Sequence, residues 1–72
     1  MAKGGEIAAF VMDELQKKDK KMAEFFAKHE GQYTKLMSTI SEAGDRGDKK
    51  GFEELYGTLK TKIKNDYKNS QG

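Results

Sequence analysis

A chain of 72 residues with no cysteine, no proline and one histidine has room for one domain, residues 1–72, and excludes disulfide staples and thiolate metal sites. Fourteen Lys and Arg set against 12 Asp and Glu leave a formal charge of +2, a balance that serves solubility more than grip on a polyanion. The longest apolar run, Ile7 to Met12, is six residues. A bilayer span needs about 20 and a secretory signal core ~7–15, so no membrane contact and a cytoplasmic location are expected.

The first segment, about residues 6–30, carries Ile7, Phe10, Val11, Leu15, Met22, Phe25, Phe26 and His29 on one stripe at 100° steps. The polar run Gln16 to Lys21 interrupts it, and Lys18 falls in mid-stripe with methylenes long enough to lie along the seam. The flanking apolar residues stay in phase, which favours one continuous helix over a break. Gly31 is placed to stop this helix in a left-handed conformation, with Lys28 and His29 complementing its dipole. A second helix, residues 32–43, sets Tyr33, Leu36, Met37 and Ile40 at i, i+3, i+4, i+7, and Gly44 supplies the next stop.

Residues 44–48 form a turn by composition, and Asp48 is placed to cap a third helix, residues 49–69. Its stripe is Phe52, Leu55, Tyr56, Leu59, Ile63 and Tyr67. Gly57 inside it implies either close approach of a neighbour or local softness, because glycine costs about 1 kcal/mol against alanine. Residues 1–4 and 70–72 are expected to fray. These elements predict an all-α fold, a small up-down-up three-helix bundle, with a long helical hairpin plus a short flanking helix as the alternative.

The motifs carry little chemistry. Asp45 to Tyr56 has the acids and glycines of a calcium loop, but later ligand positions fall on Gly47 and Lys49 and position 12 is Tyr56. Arg46-Gly47-Asp48 is explained by turn chemistry. His29-Glu30 lacks the second histidine of a zinc-protease helix, and the adjacent acids Asp13-Glu14 and Glu53-Glu54 diverge by about 100° on a helix. No catalytic residue, metal site or cofactor is expected, and the chain reads as a non-enzyme.

Residues 7–12 are apolar around nearly the whole helix, because Ala8, Ala9 and Met12 lie off the stripe, and such a helix needs cover on every side. The expected function is a non-enzymatic protein-interaction module (an adaptor, inhibitor or small structural subunit). It would dock on another protein or on itself through Ile7, Phe10, Val11 and Met12, with Ile63 and Tyr67 as further contacts. The alternative is sequence-tolerant nucleic-acid binding through Lys17, Lys18, Lys20, Lys21, Lys60, Lys62, Lys64 and Lys68. Folded up-down-up, the lysines of residues 60–68 gather with Lys28 and Lys35 at one end. Glu6, Glu42, Asp45, Asp48, Glu53 and Glu54 gather at the other, offset by Lys3, Arg46, Lys49 and Lys50. An acidic partner surface is therefore expected to face the lysine-rich end.

Overall fold

The computed structural model describes the backbone of residues 3–71 and the side chains of residues 6–71. The chain is all-α: helix α1 spans Lys3–Lys18 and α2 Lys20–Lys28, a 3-10 turn covers Glu30–Tyr33, then come α3 (Thr34–Asp45) and α4 (Lys49–Gln71). Helix α4 sets the long dimension, since 23 residues at 1.5 Å each give about 35 Å of a molecule 38 × 22 × 21 Å in extent. Helix α1 packs on α3, α3 on α4, and α2 on α4.

The periodicity explains the core. Ile7, Val11 and Leu15 recur every fourth residue on α1 and meet Phe26 of α2, Tyr33, Met37 and Ile40, and Leu59 and Ile63 of α4, all buried. Ala8 and Ala23 join them, whereas Phe10, expected in the seam, is 56% exposed. Helix α1 thus presents the Ala8 side of its surface to the core and leaves the Phe10 side outward. Lys18 also leaves the seam, its side chain exposed beside Glu14 at 3.9 Å.

The expected continuous helix over residues 6–30 is interrupted. Asp19 takes an extended conformation, φ −155° and ψ 101°. Its Oδ1 accepts hydrogen bonds from the backbone N–H groups of Lys21 at 3.1 Å and Met22 at 3.3 Å. A short carboxylate satisfies donors that open a new helix better than it continues an old one, and Lys17 and Lys18 complement the dipole at the end of α1. The apolar residues stay in phase across the break, so periodicity did not reveal it.

Glycine punctuation also differs. Gly47 alone among the described residues has a positive φ, 77°. Around it, Asp48 N–H donates to the Ala43 carbonyl at 2.9 Å and Gly47 N–H to the Gly44 carbonyl at 3.1 Å, the paired bonds of a Schellman stop. Helix α3 therefore runs past Gly44, over which the Phe52 ring packs. Gly31 lies in the 3-10 turn without a left-handed backbone, so it is not the stop expected of it. Asp48 does cap α4, accepting from Gly51 N–H at 2.9 Å. No neighbour approaches Gly57 within 4 Å of where a side chain would start, which removes close approach as its reason. The ends expected to fray, 1–4 and 70–72, are helical at Lys3 and Gly4 and at Ser70 and Gln71; Met1, Ala2 and Gly72 lie outside the described residues.

Candidate functional site

Three side-chain contacts show how the first two helices meet α4. Tyr56 Oη donates to Glu14 Oε1 at 3.1 Å, and Lys60 Nζ donates to Glu14 Oε2 at 2.7 Å. Farther along, the rings of Phe25 and Tyr67 meet edge-on with centroids 5.6 Å apart. Glu14 to Phe25 and Tyr56 to Tyr67 are equal steps along the chain, so α1 and α2 together run parallel to α4.

The Glu14 carboxylate is held below its ordinary range, first by the Lys60 hydrogen bond, against the opposing effect of burial, and further by Tyr56 and by the charges of Lys60 and Lys18. Tyr56 is pushed up to about 12 by burial and by the carboxylate that its phenol faces. Its ring stacks on Phe52, centroids 5.9 Å apart, and Lys60 Nζ lies 5.1 Å from its centroid. At the lysine-rich end, Tyr33 is buried and donates to Asp66 Oδ2 at 2.7 Å, and burial followed by that bond raises its phenol above the ordinary range. These are fastenings between segments. Each tyrosine is held protonated, which suits it to donate and not to act as a base near neutrality.

Of the residues expected to dock, Ile7, Val11 and Ile63 are core, each 3% exposed or less. Their side chains are withdrawn from any docking surface because the helical stripe that makes them apolar is the one the fold consumes. Met12 is half-buried against the core, and Tyr67 is half-buried against Phe25. Phe10 is the large hydrophobic side chain left exposed among the described residues, with Ala9 exposed beside it.

The eight lysines of the alternative reading divide. Lys18, Lys60 and Lys64 line an open hollow of about 220 Å³ together with Glu14, Leu15 and Met22. Lys21 and Lys28 line a larger cleft between α2 and the end of α4, about 520 Å³, with Glu24, Phe25, His29 and Tyr67. Lys17, Lys20, Lys62 and Lys68 are exposed outside both. Lys17 pairs with Asp13 at 3.3 Å and Lys60 with Glu14, whereas Lys21 and Lys28 have no ion pair among the described residues. His29 caps the end of α2, its ring 4.5 Å from that of Phe25 and its Nδ1 3.4 Å from Gln32 Nε2.

Periodicity pointed to neither the Glu14–Tyr56–Lys60 contact nor the α2–α4 cleft. The signal available was Glu14 and Lys18 at i, i+4 on the polar edge of the α1 stripe, next to where a neighbour had to pack. Among the described residues, no group of three or more His, Cys, Asp or Glu side chains is placed to hold a metal ion, and no helix is long and apolar enough to cross a membrane. Comparison of the chain with protein-family models, with curated proteins and with solved structures found no match.

Proposed function

We propose that this chain is a non-enzymatic protein-interaction module that docks through the outward face of α1, centred on Phe10. The observation that carries the reading is the 56% exposure of the Phe10 side chain on a helix whose opposite face is fully used by the core. An aromatic ring left in water on a regular helix is the kind of anchor that a partner groove takes. The flanking Glu6, Ala9 and Asp13 are exposed and form the rim. The arrangement that goes with this reading is a three-helix bundle in which α1 and α2 act as one kinked rod, and the location that goes with it is cytoplasmic.

Affinity capture with cross-linking from the native host, comparing the wild type with Phe10→Asp, tests it. The expected result is a partner cross-linked near Lys17 that the variant loses. Identical capture by both proteins would sink the reading.

A second reading, sequence-tolerant nucleic-acid binding, is favoured by the lysine-lined hollow and cleft along the seam with α4. Against it stand Glu14 and Glu24 within that seam and the commitment of Lys60 to Glu14. A gel shift whose affinity falls steeply with salt and is lost on reversing Lys60, Lys62 and Lys64 supports it.

A further inference from the structure

Two features of this molecule, the exposed Phe10 face of α1 and the cleft beside α2, are complementary in charge. On α1, Phe10 is preceded four residues earlier by Glu6 and followed three residues later by Asp13, all exposed. On α2, Phe25 is preceded four residues earlier by Lys21 and followed three residues later by Lys28, and it sits in the cleft of about 520 Å³ with Tyr67 and His29. The two segments share the same register, with the flanking charge inverted. On both helices the charged pair is seven residues apart, about 10 Å along the axis.

From these features we infer that the α2–α4 cleft is a docking site for the Phe10 face of a second copy of this chain. The Phe10 ring packs against the side of Phe25, Tyr67 and His29 that lines the cleft, and Glu6 and Asp13 meet Lys21 and Lys28. The ends of the molecule favour the same contact. Residues 19–35 and 60–71 carry eight lysines against four acids, whereas Glu6 and residues 42–54 carry six acids against three bases. Phe10 stands toward the acidic end and the cleft at the basic end, so the acidic end of one copy is drawn to the basic end of the next. Lys21 and Lys28 gain acids that they lack among the described residues. Asp13 exchanges an exposed pair with Lys17, which is worth little in water. The contact joins different surfaces on the two copies, so it runs head to tail and leaves one docking face and one cleft free at its ends. Glu24 in the cleft opposes a continuous nucleic-acid backbone and the acids of the Phe10 face alike, so the apolar contact of the rings is what favours a protein occupant.

The inference rests on the Phe10 docking reading and commits it to one partner. Purified full-length chain is examined by sedimentation over a range of concentrations. Wild type is expected to grow in mass with concentration and to weaken roughly tenfold on raising salt from about 50 to about 500 mM. Phe10→Asp, or the double change Glu6→Lys with Asp13→Lys, removes the docking face; Lys21→Glu with Lys28→Glu removes the cleft. Phe10→Asp is expected to weaken association roughly thirtyfold or more, the loss that a buried aromatic anchor carries, and each charge reversal roughly tenfold or more, all while keeping the helical spectrum.

The deciding sample is an equimolar mixture of Phe10→Asp with Lys21→Glu/Lys28→Glu. Each supplies one intact surface, so the mixture forms a one-to-one dimer that does not grow further. Wild type that stays monomeric to about 1 mM, either variant associating undiminished, or a mixture that stays monomeric overturns the inference. So does loss of oligonucleotide binding in Lys21→Glu/Lys28→Glu when wild type is monomeric, since the cleft then serves a polyanion. A monomeric wild type whose Phe10-dependent capture persists overturns self-docking alone; a Phe10→Asp protein unchanged in both assays overturns both.

Discussion

The Glu14 contact is the place where one atom-scale change has a calculable cost and a pH signature. Replacing Glu14 with Gln keeps the shape and leaves an acceptor for Tyr56, but removes the charge that Lys60 bonds at 2.7 Å. A hydrogen bond to a charged group contributes about 1.5–3 kcal/mol when desolvated. The Lys60 and Glu14 side chains are 35% and 33% exposed, so solvent screening brings the loss to about 1 kcal/mol. In a chain of this length that lowers Tm by roughly 4–8 °C.

The sign with pH follows from the lowered carboxyl. A folded-state value below the unfolded 4.5 contributes stability that is fully present above the unfolded value and is lost as pH falls through the folded one. Thermal unfolding of wild type and Glu14→Gln, followed by circular dichroism from about pH 7 to about pH 3, is expected to show the largest gap at neutrality and a narrowing gap in acid. A gap that stays constant across that range, or no gap at neutrality, refutes the assignment of the stability to the ionised carboxylate. In a double-mutant cycle with Lys60→Met, a coupling of about 0.5 kcal/mol or more identifies the partner.

Two further outcomes follow from the backbone and the phenols. Gly57→Ala is expected to stabilise the protein by about 1 kcal/mol, because nothing lies within 4 Å of the added carbon; Gly47→Ala is expected to destabilise it by about 1–2 kcal/mol, because φ there is 77°. Urea midpoints for the two variants should move in opposite directions, and equal shifts would contradict the geometry. Tyr33 and Tyr56 are both raised above the ordinary phenol value of 10. Raised groups contribute stability that is whole below pH 10 and declines as pH climbs through their folded values, so the urea midpoint should fall from pH 10 toward 12. Ultraviolet titration of the folded protein should show the Tyr33 and Tyr56 phenols ionising late, and either of them ionising near 10 would contradict it.

The elements legible in the sequence were those governed by helical period and by caps. Asp48 before the last helix and the Leu59–Ile63 stripe are local statements, and the fold honours them. The break at Asp19 was hidden because Leu15 and Met22 remain in phase across it; the cue was a side chain able to accept from Lys21 and Met22, which competes with continuation only when α2 has α4 to turn toward. Gly44 and Gly47 both suit a helix stop, and what decided between them was non-local, the Phe52 ring lying over Gly44. Phe10 shows the same limit. An angular position on a helix wheel does not say where neighbouring helices stand, so the stripe edge that enters the core, Ala8 or Phe10, is decided by α3.

That last choice has a consequence for how stability and docking are divided. Ala8 on the core side lets α1 lie close to its neighbours, and Phe10 on the other side contributes less to the fold than a buried phenylalanine does. Exposed hydrophobic residues scattered singly are ordinary on protein surfaces, so exposure by itself sets no function. What distinguishes Phe10 is its setting: acids on the same face of one helix, matched in spacing by lysines around Phe25 on the next that have no ion pair among the described residues. Under the docking proposal, changes at Phe10 and at Lys21 and Lys28 are expected to act on association while leaving the seam of Val11, Phe26, Ile40 and Ile63 untouched. Changes at Glu14 act on the fold. The physical separation of those two sets of side chains is what allows the docking proposal to be tested without unfolding the molecule that carries it.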